Sequence, residues 1–350
     1  MQPGTYTSAE IRQIKIDNPS ARERDIAAQC GISEVEYVAA WLGHSAIRIT
    51  TDFDRIFPKL QELGVVMALT RNENAVHEKI GVYDRYIAGN KAAMMLGEQI
   101  DTRMFPSHWV YGFAVENALD GGVKRSFQFF DAQGQAVHKI HLRPESDTAA
   151  WKRLANELAL DDQAAILDIK PPVTEVFAND DNVPLDELRQ RWTAMTDTHQ
   201  FVGLLSALKL SRLKAISSVG DDYAWRVSPY AVQTMFSEAV RTQVPLMCFV
   251  ANQGCVQIHS GPVGNVKTVG PWLNIMDETF HLHLREDRIN ECWVVRKPTD
   301  KGHVTSVEAY DAKGDLIIQF FGKRIEGEDE RKQWRAIVEA LPMPEDSRAA

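Results

Sequence analysis

Apolar and polar positions alternate with a period of two along much of this chain. Phe280-His281-Leu282-His283-Leu284-Arg285 is the plainest case, and Gly64 to Leu69 and Leu246 to Val250 are rich in Val, Leu, Phe and Met. Such segments predict strands, and the alternating ones bury one face. Between apolar runs stand Asp131-Ala132-Gln133-Gly134 and Asp311-Ala312-Lys313-Gly314. They read as hairpin turns, because Asp tolerates turn geometry and Gly supplies positive φ. Two stretches change to the helical period: Trp151, Leu154 and Leu158, then Trp334, Ile337, Val338 and Leu341. These predict amphipathic helices that can cover a sheet face.

The same elements recur. Laying Val66-Met67-Ala68-Leu69 over Leu246-Met247-Cys248-Phe249 sets a shift of 180 residues, and that shift pairs Asn72 with Asn252, Val76 with Val256, Gly81 with Gly261, Glu98 with Glu278 and Val115 with Val295. The two Asp-Ala-x-Gly turns fall in the same register, so the chain carries an internal duplication. Lys170-Pro171-Pro172 and Asn179-Asp180-Asp181-Asn182-Val183-Pro184 cannot propagate a helix and suit an exposed connector. The expected fold is α+β: two tandem repeats, residues 1–172 and 173–350, each a large, mainly antiparallel sheet flanked by helices.

Composition narrows the function. With 350 residues, 44% hydrophobic and 25% charged, the chain has the balance of a soluble globular protein and room for about two domains. It lacks an apolar run of about 18 residues, and Glu10, Arg12, Lys15 and Asp17 interrupt its start, which argues against membrane insertion and Sec export. Cys30, Cys248, Cys255 and Cys292 form no CxxC pair, so neither a zinc module nor a disulfide framework is expected, and a reducing cytoplasm fits. A net charge of -9 disfavours a protein that coats nucleic-acid phosphates. The segment Arg24 to Glu36 has the outline of a helix-turn-helix, but its second helix opens with Glu34 and Glu36, whose charges would repel phosphate. It is therefore read as a packing hairpin, with a DNA-binding regulator as the remote alternative.

Other motifs are weak. His281 with His283, His138 with His141, and Cys255 with His259 have ligand-like spacings but no matching second pair, so no zinc site is expected. Gly261-Pro262-Val263-Gly264-Asn265-Val266 lacks the Lys-Ser/Thr of a phosphate loop, and no Gly-x-Ser-x-Gly elbow is present. More informative is Thr196-Asp197-Thr198-His199-Gln200-Phe201, where Thr196 or Asp197 can cap the first helix of the second half. Its apolar stripe runs Phe201, Leu204, Leu205, Leu208, leaving His199 on a side with Val202, Gly203 and Ser206. Both a solvent-facing helix-end histidine and a histidine holding a flat ligand against small residues fit this pattern.

That segment, together with Met67 to Glu73, Ile100-Asp101-Thr102-Arg103-Met104-Phe105, Gly270-Pro271-Trp272-Leu273-Asn274, His283 to Asp287 and Arg296-Lys297-Pro298-Thr299, resembles the HemS/HmuS/ChuS/ShuS/PhuS family. These are cytoplasmic haem-binding, haem-degrading proteins of bacterial haem-uptake systems, and the likeness runs in order over nearly the whole chain. The resemblance implies haem b as substrate or cargo, with His199 as the proximal iron ligand. It places Arg103 on the distal side, in a catalytic role, and Phe105 against the porphyrin. It places Arg212, Lys297, Gln319, Phe321 and Arg324 around the pocket and propionates, where forked guanidinium and ammonium groups suit carboxylates. Relatives often carry Tyr where this chain has Phe321, so a phenol hydroxyl is missing. The implied activity is oxygen-dependent ring opening with iron release, driven by an external reductant. The alternative is a haem chaperone serving a separate haem oxygenase, with the haem ABC importer as a further partner.

Overall fold

The computed structural model describes residues 6–119, 122–172, 176–323 and 332–344. The first half runs α1 (Ser8–Asp17), α2 (Glu23–Cys30), α3 (Glu34–Ala39), β1 (Ala46–Ile49), α4 (Phe53–Ile56), β2 (Val66–Arg71), β3 (Ala75–Gly81), β4 (Tyr86–Ile87), β5 (Ala93–Leu96), β6 (Asp101–Met104), β7 (Tyr111–Leu119), β8 (Gly122–Phe130), β9 (Ala136–Leu142) and α5 (Thr148–Glu157). The second runs α6 (Leu185–Thr193), α7 (Gln200–Leu208), α8 (Arg212–Val219), β10 (Ala224–Val227), α9 (Ala231–Thr242), β11 (Leu246–Ala251), β12 (Cys255–Gly261), β13 (Val266–Val269), β14 (Trp272–Met276), β15 (Phe280–Arg285), β16 (Glu291–Thr299), β17 (Gly302–Tyr310), β18 (Leu316–Gly322) and α10 (Lys332–Glu339). The chain folds into two compact units: Met1–Arg71 with His77–Val173 and Ala251–Gln257, and Asn72–Val76 with Thr174–Val250 and Ile258–Ala350.

Each unit is built on antiparallel pairs. In the first, β1-β7-β8-β9-β2 run as neighbours and β4-β5-β6 form a shorter set. In the second, β10-β16-β17-β18-β11 and β13-β14-β15 repeat the plan. The α+β expectation and the duplication hold down to detail, since even the bulge recurs, between Phe129 and Phe130 and again between Ala309 and Tyr310. Both Asp-Ala-x-Gly turns close hairpins. Gly134 has φ +77 and Gly314 φ +83, and Asp131 accepts the backbone N–H groups of Gln133 and Gln135, as Asp311 does from Lys313 and Asp315.

Alternation puts a different core on each sheet face. In the second unit Val294, Val307, Ile318 and Phe320 pack with Phe236 of α9 and Trp334 and Ile337 of α10. The opposite face, through Val295 and Tyr310, meets Leu188, Trp192, Phe201, Leu204 and Ile216 of α6 to α8. In the first unit Phe127, Phe129 and Ile140 pack with Phe53, Trp151 and Leu154, while Phe113, Val115 and Phe130 meet Ile26, Val35 and Val38. The helix-turn-helix-like segment is thus a packed cover of its sheet. Glu34, which a DNA-reading helix would present outward, is buried against Lys139 and Arg71, and Glu36 closes a capping box with Ser33. One expectation is corrected: α6 precedes α7, so His199 opens the second helix of its half. The Asp186-Glu187 start and Leu188/Trp192 spacing carry α6's helix signal.

Candidate functional site

The local sequence around His199 makes an open helix start. α7 buries Phe201, Leu204 and Leu208 and leaves Val202, Gly203 and Ser206 exposed, and a Cβ built on Gly203 meets nothing within 4 Å. His199 occupies the N-cap, with its side chain 93% exposed. Its Nδ1 lies 2.7 Å from Asp197 Oδ1, and the same oxygen accepts the His199 backbone N–H at 2.7 Å. Asp197 therefore caps the histidine rather than the helix, contrary to the capping role expected of it. A carboxylate on Nδ1–H fixes the tautomer that leaves the Nε2 lone pair for a metal.

Behind this turn lies a buried polar array. Glu308 Oε2 and Oε1 accept Arg212 Nε and Nη2, each at 2.8 Å, a bidentate fork. Oε1 also accepts Lys297 Nζ at 2.9 Å, Ser306 Oγ at 2.8 Å and Gln319 Nε2 at 3.0 Å, and Oε2 accepts the Tyr310 hydroxyl at 2.5 Å. Burial would raise the Glu308 pKa, but Arg212 and Lys297 outweigh it and hold the carboxyl well below its usual range. Burial pulls Lys297 down to about 8, with Glu308 resisting and Arg212 assisting the fall. Both cations rest on one ring: Lys297 Nζ is 4.7 Å and Arg212 Cζ 5.0 Å from the Phe201 centroid. Phe201 is two residues from His199, so the array anchors the turn that presents the imidazole.

The structure thus gathers Arg212, Lys297 and Gln319 around one carboxylate, and Lys297 is itself buried. Phe321 shares the Gln319 strand face and packs edge-on against Phe249 at 4.9 Å; with Met247 the two rings make a half-buried apolar patch. Arg324 lies outside the described residues. In the first unit, Arg103 on β6 pairs with Asp101 and donates to the Thr102 carbonyl at 3.2 Å. Burial raises the Asp101 pKa, and Arg103 opposes the rise. The Phe105 N–H donates to Gly254 O at 2.9 Å, which fixes its backbone. A cleft of about 460 Å³ lined by His44, Ser45, Glu116, Trp151 and Lys152 contains none of these residues.

Sequence reasoning passed over Glu308, Ser306 and Tyr310. Their signal was there: three polar or amphipathic residues at i, i+2, i+4, alternating with the apolar Val307 and Ala309. It also missed Asp197 as the partner of His199, which the spacing of two residues could have suggested.

Among the described residues no three His, Cys, Asp or Glu gather as a metal site. A bare ion wants three or four protein donors. An exposed imidazole held by a carboxylate, with a buried cationic array in the same unit, instead suits a metal carried within an acidic organic ligand. The fold and site therefore define a class of duplicated α+β proteins with an exposed, carboxylate-held histidine in the second copy.

The chain belongs to the haemin-degrading HemS/ChuX domain family, whose model matches it twice, over residues 31–158 and 209–341. It is 38% identical over 338 residues to the hemin transport protein HemS of Yersinia enterocolitica, covering 94% of this chain and 95% of that one. Among solved structures it is similar to holo-PhuS, a heme-binding protein from Pseudomonas aeruginosa, at 38% identity and TM-score 0.93, over 97% of this chain and all of that one. It is also similar to ChuS, an Escherichia coli heme oxygenase, at 36% identity and TM-score 0.86, over 94% and 98% of the two chains.

Proposed function

We propose that this chain binds haem through His199 and degrades it by oxygen-dependent ring opening that releases iron, with electrons from an external reductant. The observation that carries the reading is the His199–Asp197 pair: an exposed imidazole whose Nδ1 is already held by a carboxylate, on a helix side kept open by Gly203. In this reading Nε2 of His199 ligates iron, Val202, Gly203 and Ser206 leave room for the macrocycle, and Phe249 and Phe321 supply apolar contact. Arg212, Lys297 and Gln319, with Arg324, recognise propionates. Arg103 orients a small oxygen ligand on the distal side and Phe105 packs on the ring, roles that rest on the family resemblance. Iron and macrocycle supply the redox chemistry, and the protein supplies orientation and electrostatics. The repeats are assigned to 1–172 and 173–350, with one loaded site per chain, in the second.

A second reading, a cytoplasmic haem chaperone that receives haem from an ABC importer and passes it to a separate oxygenase, is favoured by the naming of HemS of Yersinia enterocolitica for hemin transport. Among the described residues no helix is long and apolar enough to cross a membrane, which agrees with either reading. Haemin titration of wild type and His199→Ala tests binding: the variant should bind more weakly with an altered Soret band, and an unchanged spectrum would reject His199. Single-turnover spectra with ascorbate and catalase separate the two readings. Loss of the Soret band with bilin-like products supports degradation, and a persistent band supports the chaperone.

A further inference from the structure

We propose that Glu308 is a positioning residue of the haem cleft, holding Arg212, Lys297 and Gln319 in one array that keeps a surplus positive charge for a ligand carboxylate. The proposal rests on the haem reading above. Glu308 touches no ligand in it; it acts through the three side chains it fixes.

A buried carboxylate with hydrogen bonds to five side chains could simply fasten α8 to the sheet. The first repeat argues that fastening does not need this arrangement. There the position of Arg212, just after the helix-capping serine, is Glu34, just after Ser33. The residue 180 earlier than Glu308 is Gln128 and that 180 earlier than Gln319 is Lys139, paired across the strands in the same register. Gln128 also bonds the serine two residues before it, donating to Ser126 Oγ where Glu308 accepts from Ser306 Oγ. The helix is still clamped, but with opposite polarity: the carboxylate stands on the helix and the cations, Lys139 and Arg71, on the strands. Since either polarity secures a helix, the fold does not require two cations on Glu308 in the second repeat. In the first repeat a second carboxylate, Glu23, lies 3.8 Å from Lys139, whereas among the described residues Arg212 and Lys297 pair with Glu308 alone. That leaves a surplus of one in the unit that also presents His199, and a desolvated surplus cation favours an anionic partner.

The array also has a titratable member. Lys297 is faced by the charges of Glu308 from β17 and Arg212 from α8 and by the Phe201 ring from α7, while Tyr310 and Ser306 of β17 and Gln319 of β18 share the Glu308 carboxylate with it. Burial lowers its pKa to about 8, and Glu308 opposes that fall. Removing an opposite charge at this range lowers such a pKa by about one unit or more.

The test compares haemin with haemin dimethyl ester, which lacks free carboxylates, from pH 6.5 to 9.5. Wild type should prefer haemin, and the preference should fall about tenfold as pH rises through the Lys297 transition near 8, because one charged contact is lost. In Glu308→Gln the midpoint should move down by about one unit or more, and in Lys297→Met the pH dependence should disappear while the axial spectrum is kept. If Glu308→Gln weakens both ligands equally with an unmoved midpoint, its role is structural only and the proposal falls. Should that variant not fold by circular dichroism, Lys297→Met decides: a retained transition near pH 8 overturns the proposal, and a vanished one supports it. Failure of wild type to bind haemin at all would instead reject the haem reading.

Discussion

His138 gives the sharpest stability prediction. It is fully enclosed in the first unit, with Nδ1 2.8 Å from Thr70 Oγ1 and Nε2 2.6 Å from the Tyr83 hydroxyl. Burial, with His141 adding repulsion, holds its pKa down to about 3, against 6.5 for a free imidazole. The unfolded chain takes up the proton near pH 6.5 while the native chain refuses it until about pH 3. Its contribution is therefore complete above pH 6.5 and is lost progressively as pH falls through that window. At about 1.4 kcal/mol per pH unit, the loss from pH 7 to pH 5 is ~2 kcal/mol for this group. His141, held at about 4 mainly by burial, acts in the same direction. Urea unfolding of wild type and His138→Gln at pH 7 and pH 5, followed by far-ultraviolet circular dichroism, measures it. The variant should be weaker at pH 7, where the Thr70 and Tyr83 bonds are disturbed, yet lose ~2 kcal/mol less on acidification. Equal losses in the two proteins would refute a neutral, buried His138.

Three further outcomes follow from single contacts. Asp197→Ala should lower haemin affinity about 10- to 100-fold, because the ligand imidazole loses its orienting carboxylate; equilibrium titration checks it, and unchanged affinity would deny Asp197 that role. Arg103→Ala should slow single turnover or change distal ligation more than it changes loading, and equal loss of loading would place Arg103 on a propionate instead. Gly322→Ala places a Cβ 2.6 Å from Trp334 Cγ, between β18 and the buried ring of α10. It should cost about 1–3 kcal/mol in urea unfolding, and a neutral result would mean that α10 can shift away.

Much of the architecture was readable in one dimension because it is set by local and periodic rules. Period-two alternation marked β15, Asp-Ala-x-Gly marked the turns of both long hairpins, and a constant offset of 180 residues carried one repeat onto the other. The exposed placement of His199 was also readable, since helix period separates it from Phe201 and Leu204 and sets it beside Val202, Gly203 and Ser206. What the cations do was not. Arg212, Lys297, Glu308 and Gln319 are distant in sequence, and a lysine or arginine in a string of residues looks the same whether it faces water or a buried carboxylate. Their meeting depends on strand register and on α8 crossing that face, and only there does desolvation turn ordinary charges into a coupled array. The polarity of that array, opposite in the two repeats, is likewise a matter of which side chains the folded chain brings within 3 Å of each other.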